Sequence, residues 1–264
     1  MSLPGDCHAA LAMTKSCDYW SLIVRAGQET KAARYIEVNM ITTVFIDIDN
    51  TLLDFDVCAT YAMSKGLEKY GKHYENGLFE CFKKINDNLW RRIEDGTLTK
   101  DGLKKIRWNL VFDAFGIKGI DGPEFEEVFH DFLAVSAEPV SGAHELLTYL
   151  CGKYKLFATS NGPFKQQDFR LEKADMKKYF SGLFISEAVG AMKPSKEYFD
   201  FCIENANAKK DEIVLIGDSL TADIAGGRNA GIKTVWFNHD RTDIPENKIW
   251  DYYVENLDEI KNIL

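Results

Sequence analysis

Short apolar runs and longer amphipathic stretches alternate along most of the chain. The short runs are rich in Val, Ile, Leu and Phe, which is typical of strands buried on both faces of a parallel sheet. They are Val44–Ile46, Lys155–Thr159, Leu183–Ile185, Ile213–Ile216 and Ile232–Phe237. Beyond Glu138 the runs alternate with stretches of helical periodicity. This alternation predicts an α/β fold, a Rossmann-like doubly wound parallel sheet with helices on both faces.

The stretch 56–138 lies between the first two runs and has a different pattern. Apolar residues recur there at intervals of three and four, which predicts amphipathic helices packed as a bundle. So long a connection must form a domain. We expect a helical cap domain over 56–138, inserted into an α/β core made of 40–55 and 139–264. Within the cap, Thr97 is predicted to cap a helix, and Trp90 and Trp108 are expected in the apolar core.

Residues 1–39 differ from the rest of the chain. They contain scattered Ser, Gly, Thr and charged residues, with no apolar run long enough for a signal peptide or a membrane span. Met40 directly precedes the first strand. We therefore expect 1–39 to be an N-terminal extension, poorly ordered or artefactual, without a catalytic role.

Two acidic residues, Asp47 and Asp49, follow the first apolar run. Ligands of an open α/β sheet bind beyond the carboxyl ends of its strands, and residues i and i+2 of a strand point to the same side. Two carboxylates so close repel each other unless a cation or a shared proton is present, and Mg²⁺ prefers hard oxygen ligands. The alternative is an ordinary turn after a strand, because Asp and Asn are common turn formers.

Three further strand ends carry polar groups. The first is a hydroxyl pair, Thr159 and Ser160, before an Asn-Gly turn. The second is Lys193, directly before a proline, and the third is a pair of acids five residues apart, Asp218 and Asp223. A hydroxyl beside a Gly turn can bind phosphate oxygens, and an ammonium can approach both acids and a phosphate. Each fragment alone also fits a turn, a surface lysine or a helix cap. Together they place polar groups at successive β–α junctions.

The order Asp-x-Asp-x-Thr, Ser/Thr, Lys-Pro and Gly-Asp-x-x-x-x-Asp resembles the haloacid dehalogenase (HAD) superfamily, with a likeness from Met40 to Leu264. The resemblance implies a phosphomonoester hydrolase that uses Mg²⁺ and forms an aspartyl-phosphate intermediate. It implies these roles: Asp47 the nucleophile, Asp49 the general acid/base, Ser160 the phosphate-binding hydroxyl, Lys193 the charge-balancing lysine and Asp218 a metal ligand. Asp47 and the backbone carbonyl of Asp49 would also bind the metal.

Other positions follow less directly from the resemblance. Thr159 competes with Ser160, and we choose Ser160 because members with a similar turn place the hydroxyl directly before the Asn. Asp223 is expected to organise metal-bound water rather than bind the metal. Thr51 and Asn161 are expected to contribute to phosphate or substrate binding, and Thr51 to support its loop by a local hydrogen bond.

Details of the sequence resemble the pyrimidine and noncanonical 5′-nucleotidases within this superfamily. They are Leu89–Trp90 with Glu94, Gly96 and Thr97, the segment Ile185–Gly190, and the Ser-Asn-Gly turn. This resemblance implies that the substrate is a nucleoside monophosphate. The alternatives are a phosphatase for phosphoglycolate or a sugar phosphate, a phosphomutase, and a catalytically silent binding protein. A dehalogenase is disfavoured, because the resembling dehalogenases lack an acid at the position of Asp49.

Charge and composition narrow the choice of partners. The 264 residues carry a formal net charge of −9, with a sequence pI of about 5.2. So acidic a chain does not favour a nucleic acid or an anionic membrane, whereas a nucleoside monophosphate can bind beside a local Mg²⁺. The six cysteines contain no Cys-x-x-Cys pair. This usage favours reduced thiols and a cytoplasmic protein. The sequence leaves the oligomeric state open.

Overall fold

Six parallel strands form one sheet in the computed structural model, which describes residues 40–264. The strands are β1 (Thr43–Asp47), β2 (Lys155–Ser160), β3 (Gly182–Ile185), β4 (Ile213–Gly217), β5 (Lys233–Phe237) and β6 (Tyr252–Val254). Their order across the sheet is β3-β2-β1-β4-β5-β6. This is the doubly wound order, which confirms the predicted fold class, and its reversal between β1 and β4 opens a crevice at the carboxyl ends. The extension predicted for 1–39 lies outside the described residues.

Helices connect the strands. They are α1 (Phe55–Lys69), α2 (Leu78–Glu94), α3 (Lys100–Phe115), α4 (Gly122–Ala134), α5 (Ala143–Cys151), α6 (Phe164–Lys173), α7 (Ser186–Val189), α8 (Lys196–Ala206) and α9 (Gly226–Ala230). Three 3₁₀ turns and a π-helix complete the described elements: Lys177–Tyr179, Lys210–Glu212, Leu257–Asn262 and, as the π-helix, Leu220–Ala225. Within 40–264, no helix is both long and apolar enough to cross a bilayer.

Strand β1 is buried on both faces, as its continuous apolar run predicts. Val44 and Ile46 pack into one cluster with Leu146 of α5, whereas Phe45 packs into a second cluster with Phe199 of α8. All five side chains are completely buried. Burying a side chain of this size contributes about 1.5–3 kcal/mol, so the two clusters hold the sheet between helical layers and fix the ends of its strands.

Helices α1–α4 lie between β1 and β2 and are called the helical insert below. Their apolar core is aromatic: the Trp108 ring lies 4.6 Å from Phe125 and 4.9 Å from Phe129, measured between centroids. Trp108 is 1% exposed, so its predicted place in the core is confirmed. The described residues belong to one compact unit. The division into a cap over 56–138 and a core over 40–55 and 139–264 therefore stays a prediction.

The predicted cap at Thr97 is wrong, because α3 is capped two residues later. Thr99 has an extended backbone, and its Oγ1 accepts a hydrogen bond from Gly102 N at 3.0 Å. The Thr97 hydroxyl instead donates a hydrogen bond to Asp95 Oδ1 at 2.6 Å, in the turn that ends α2. Both threonines suit an N-cap by residue type, and the local turn decides between them.

Candidate active site

Polar side chains collect at the carboxyl ends of three neighbouring strands. Asp47 is the last residue of β1, Ser160 is the last residue of β2, and Asp218 directly follows β4. Lys193 comes from the loop between α7 and α8, and all four line one cavity. The parallel arrangement of β1, β2 and β4 thus brings together residues that are far apart in the sequence.

Three carboxylates form a cluster in this cavity. Asp47, Asp218 and Asp223 each bring one oxygen to within 4.8 Å of the others. Burial raises the pKa of Asp47 to about 7 despite the opposing effect of Lys193, and the charge of Asp223 adds to the rise. Burial, followed by the charges of Asp47 and Asp223, also raises the pKa of Asp218. A divalent cation with hard oxygen ligands would relieve this repulsion, so the donor set fits Mg²⁺.

Lys193 joins two of the three acids. Its Nζ lies 2.5 Å from Asp47 Oδ1 and 2.7 Å from Asp223 Oδ1, and the residue is 2% exposed. Burial lowers the pKa of Lys193, but Asp223 and Asp47 together outweigh burial and raise it. The amine therefore stays protonated. Asp223 Oδ2 accepts from Ser219 N at 3.2 Å, so both of its oxygens have partners; its expected role toward metal-bound water stays a prediction.

Asp49 faces the cavity but is held by a different set of residues. Arg170 Nη1 donates to Asp49 Oδ1 at 2.5 Å, and Gln167 Nε2 donates to Oδ2 at the same distance. Arg170 is completely buried, and its Nε also donates to the carbonyl of Ser136 at 2.9 Å. Two side chains of α6 therefore orient the carboxylate that we expect to act as general acid/base.

Ser160 and Thr159 occupy different environments. Ser160 Oγ lines the cavity and accepts hydrogen bonds from Gly162 N at 3.0 Å and Gln167 Nε2 at 2.8 Å. Its own hydroxyl proton remains available to an acceptor in the cavity. Thr159 is completely buried, and its Oγ1 has no hydrogen-bond partner within 40–264. This placement favours Ser160 as the phosphate-binding hydroxyl.

The Asn161 side chain binds the backbone of Lys193, in the loop between α7 and α8. Its Nδ2 donates to the Lys193 carbonyl, and its Oδ1 accepts from Lys193 N, both at 2.9 Å. The Asn161 side chain therefore positions Lys193. The sequence predicts a different contact for it, with the phosphate or the substrate. That contact stays a prediction, although Asn161 does line the cavity.

Thr51 does not form the local hydrogen bond that is predicted for it. Its side chain is completely buried, and Oγ1 is without a hydrogen-bond partner among the described residues. The chain turns here through Asn50, which has a positive φ of 57°. The loop is instead closed by backbone bonds, among them Asn50 N to the Leu53 carbonyl at 2.7 Å. Thr51 is also absent from the residues that line the cavity.

The cavity extends from the strand ends into the helical insert. It has a volume of about 240 Å³. The insert contributes an aromatic wall and several polar groups, which include Phe79, Phe82, Trp90, Phe129, Asn86, Glu94 and His130. Trp90, which we expect in the core, packs against a small apolar cluster of Leu89, Ile93 and Leu103. It is only partly buried there and also lines this cavity.

Charged groups connect the insert to the sheet around the cavity. Lys83 Nζ of α2 binds Asp56 of α1 at 2.6 Å and Asp240, which follows β5, at 2.5 Å. Lys100 Nζ of α3 donates to the Asn161 carbonyl at 2.6 Å and to Ser186 Oγ at 2.7 Å. These bonds hold the insert against both sides of the strand-end crevice.

Comparison with known families matches this arrangement to one group. The family model for haloacid dehalogenase-like hydrolases matches residues 41–231, which include every acid of the site, Ser160 and Lys193. The chain belongs to the haloacid dehalogenase-like hydrolases. The resemblance inferred from the four motifs, and the prediction that the chain is an enzyme of this superfamily, are confirmed.

Curated relatives of this HAD-like hydrolase include two named nucleotidases. The pyrimidine 5′-nucleotidase PynA of Streptococcus pneumoniae is 34% identical, over 74% of this chain and 83% of PynA. The pyrimidine 5′-nucleotidase YjjG of Escherichia coli is 30% identical, over 84% of this chain and 96% of YjjG. The HAD-hydrolase YfnB of Bacillus subtilis is 33% identical, over 84% of this chain and 94% of YfnB.

A solved structure matches the HAD-like hydrolase over nearly its whole described length. A crystal structure of YfnB bound to magnesium has a TM-score of 0.80 and 32% identity, covering 85% of this chain and 98% of that one. The chain therefore shares its fold with a protein of the same family.

Several residues around the site of this HAD-like hydrolase could not be found from the motifs. They are Arg170 and Gln167 beside Asp49, Lys100 beside Asn161, and Asn86 and His130 in the wall of the cavity. Only α6 carries a usable signal. Gln167, Arg170 and Leu171 are spaced as one helical face, so two polar groups stand on an apolar stripe.

Proposed function

We propose that this HAD-like hydrolase is a Mg²⁺-dependent phosphatase that hydrolyses nucleoside 5′-monophosphates through an aspartyl-phosphate on Asp47. One observation carries the proposal: Asp47, Asp218 and Asp223 approach within 4.8 Å, and the Lys193 ammonium bridges two of them. Phosphoryl transfer depends mainly on positioning and on neutralising charge. The strand ends position these groups, and Lys193 together with a bound cation would neutralise the charge.

The nucleophile is the oxygen of Asp47 that Lys193 leaves open. Oδ1 accepts the lysine bond, and Oδ2 has no hydrogen bond within 40–264. Attack by Oδ2 on phosphorus forms the bond to the phosphoryl group while the bond to the leaving oxygen breaks. Water then attacks the phosphorus of the intermediate, releases inorganic phosphate and restores Asp47, so one difficult hydrolysis becomes two easier displacements.

Asp49 is the group that moves protons in this scheme. It would protonate the leaving oxygen in the first step and accept a proton from the attacking water in the second, a contribution of roughly 10²–10⁴-fold. Its contacts with Arg170 and Gln167 support this role, because they fix the direction in which the carboxylate points. Ser160 would donate its free hydroxyl proton to a phosphate oxygen.

Mg²⁺, when bound, would neutralise the charge on the phosphoryl oxygens. Asp47, Asp218 and the backbone carbonyl of Asp49 are its proposed ligands, with Asp223 holding water beside it. The carboxylate cluster supports this assignment, because burial, with the charges of the neighbouring carboxylates adding to it, raises the pKa of both Asp47 and Asp218. Lys193 would balance the remaining negative charge through its contacts with Asp47 and Asp223.

The helical insert is the proposed cap that closes over the substrate and excludes water. Its aromatic side chains and the strand-end acids line the same cavity, so a phosphate at the acids would direct its organic group toward the insert. An aromatic wall suits a flat nucleobase. The named activities of PynA and YjjG support the same class of substrate.

Phosphate release from a panel of substrates tests the proposal. The panel contains UMP, dTMP, a sugar phosphate and phosphoglycolate, each assayed with Mg²⁺ or with EDTA. We expect Mg²⁺-dependent turnover, highest on a nucleoside monophosphate, and a loss of at least about 10³-fold in Asp47→Asn, because the amide is not a nucleophile for phosphorus.

The controls separate the parts of this proposal. Asp101→Asn, an exposed change on α3, should retain wild-type turnover. Full activity in Asp47→Asn would refute the mechanism, and full activity after chelation would refute the metal. Preference for phosphoglycolate or a sugar phosphate would replace the substrate while leaving the chemistry in place.

A further inference from the structure

A buried ion pair lies in the part of the helical insert that borders the cavity, and its arginine is itself one of the residues that line the cavity. Arg107 of α3 and Glu126 of α4 are joined by two bonds, Nη2 to Oε1 at 2.6 Å and Nε to Oε2 at 3.1 Å. Their side chains are 4% and 1% exposed. The Arg107 guanidinium also lies between the rings of Phe82 and Phe129, 5.6 and 5.2 Å from the centroids.

Such a pair is a poor way to gain stability, because the cost of taking two charges out of water often exceeds their attraction. Apolar residues of similar size would fill the same space. The pair does, however, fix the side chains that it touches. Arg107 and Glu126 have two further partners between them, and both partners line the cavity: Asn86 and His130.

Asn86 is oriented by this pair. Arg107 Nη1 donates to Asn86 Oδ1 at 2.9 Å. A guanidinium can only donate hydrogen bonds, so the amide must turn its oxygen toward Arg107 and its nitrogen away. Asn86 Nδ2 has no acceptor among the described residues, although Asn86 is only 6% exposed. The side chain therefore presents two N–H donors without partners next to the cavity.

The surroundings of Asn86 restrict what can accept these hydrogen bonds. Phe79, Phe82, Trp90 and Phe129 line the same cavity and favour a flat ring over a flexible polar group. His130 Nδ1 lies 3.0 Å from the side-chain oxygen of Gln166 on α6, which ties this wall to the sheet side of the molecule. An acceptor at Asn86 must therefore be carried on a planar group that reaches from the phosphate site into the insert.

We propose that Asn86 is a specificity-determining residue whose Nδ2 donates to a carbonyl oxygen of the nucleobase, a group that every pyrimidine base carries. Arg107 and Glu126 are its positioning residues. This inference rests on the proposed nucleotidase function and adds the contact that selects the leaving group. A site built to donate to a substrate oxygen discriminates strongly against a substrate that lacks it, because the buried donor is then left unpaired.

The test compares two substrates in wild type and in Asn86→Ala. One substrate is UMP, and the other is 1-O-methylribose 5-phosphate, which has the same phosphate and sugar but no base carbonyl. We expect kcat/KM for UMP to fall about 10–100-fold, the effect of one lost hydrogen bond to a buried donor. For the abasic substrate we expect a change of less than about threefold, within the ±0.5 kcal/mol of a harmless substitution.

A second variant separates recognition from support of Arg107. Asn86→Asp keeps an oxygen for Arg107 but removes both N–H donors, so it should lose the same preference for UMP over the abasic substrate. Asn205→Ala on the exposed side of α8 is the matched control and should keep the wild-type preference.

The outcomes distinguish this inference from the proposed function. An equal loss on both substrates, or an unchanged preference in both Asn86 variants, would overturn the role of Asn86 while leaving the nucleotidase intact. If wild type turns over the abasic substrate and UMP equally well, no base is recognised and the inference also fails. If wild type hydrolyses no nucleotide, the proposed function itself is wrong, and the inference is wrong with it.

Discussion

The contact between Arg170 and Asp49 is the residue-level feature that most affects the proposed proton transfer. Arg170 is completely buried, and it binds Asp49 and the Ser136 carbonyl through different nitrogens. A lysine has one ammonium and cannot reproduce this forked geometry. We therefore expect Arg170→Lys to lower kcat by about 10–100-fold, the effect of a lost or misplaced charged hydrogen bond of about 1.5–3 kcal/mol.

Steady-state kinetics with a saturating nucleotide measure this effect. KM should change less than kcat, because Arg170 orients the acid/base and is not among the residues that line the cavity. Lys173→Met is the matched control, since Lys173 lies on the same helix and, among residues 40–264, its side chain donates only to the Val135 carbonyl. Wild-type kcat in Arg170→Lys would show that the orientation of Asp49 does not limit the reaction.

The sequence predicts some of these residues and not others for a physical reason. Asp47, Asp49 and Asp218 follow apolar runs directly, so the chain itself places them at strand ends. Arg170 and Asn86 belong to helices, and their roles depend on which helical faces approach Asp49 or Arg107 in the folded chain. Helical spacing identifies a face but does not identify what that face will contact.

At the level of elements, α3 is connected to the phosphate site through a short chain of contacts. Lys100 donates to the Asn161 carbonyl at 2.6 Å, and the Asn161 side chain forms two bonds with the Lys193 backbone. Lys100 is half-buried at this junction, and its burial lowers the pKa of the ammonium. A movement of α3 therefore acts on the loop that carries Lys193.

Removing this ammonium should weaken the hold of the insert on the sheet. For Lys100→Met we expect kcat/KM to fall about 5–10-fold, corresponding to about 1–1.5 kcal/mol for the lost bonds. We also expect faster hydrogen exchange in α3, because the bonds from Lys100 to Asn161 and Ser186, which hold the start of α3 in place, are lost. Lys105→Met, an exposed change on the same helix, is the control. Unchanged exchange and kinetics in Lys100→Met would contradict the coupling.

Element types could be predicted better than element boundaries. The doubly wound sheet follows from alternating apolar runs and amphipathic stretches, and both faces of β1 are buried as its composition indicates. The sequence alone does not show that Thr99, rather than Thr97, caps the start of α3. The two residue types are the same, and only the hydrogen bond of Thr97 in the preceding turn distinguishes them.

At the scale of the whole molecule, the carboxyl ends of the strands carry a cluster of acids, and the removal of these acids from water, together with their mutual repulsion, opposes folding. Asp47 has an ordinary pKa of 3.8 and a folded-state pKa of about 7, with burial as the main cause. A group whose pKa is raised in the folded state binds its proton more tightly there. Its contribution to stability is therefore fully present below about pH 3.8 and is lost as the pH rises through about 7.

A cation bound between the carboxylates would reverse this dependence, because it binds the ionised groups of the folded chain. Mg²⁺ should then raise the melting temperature by an amount that grows between pH 5 and pH 8. At a concentration about 100 times its Kd, the gain is about 2.7 kcal/mol, which corresponds to about 5–10 °C for a chain of this size. Calorimetry at pH 5 and pH 8, with Mg²⁺ or with EDTA, measures the gain without any substrate.

Asp218→Asn should lose most of the Mg²⁺-dependent gain at pH 8, because the amide is a weaker ligand for a hard cation. The same variant should be more stable than wild type in EDTA, since one negative charge of the cluster is gone. These two shifts have opposite signs, so a general loss of folding cannot imitate both. If Mg²⁺ stabilised wild type and Asp218→Asn equally, the ion would be bound elsewhere than in the cluster at the carboxyl ends of β1 and β4.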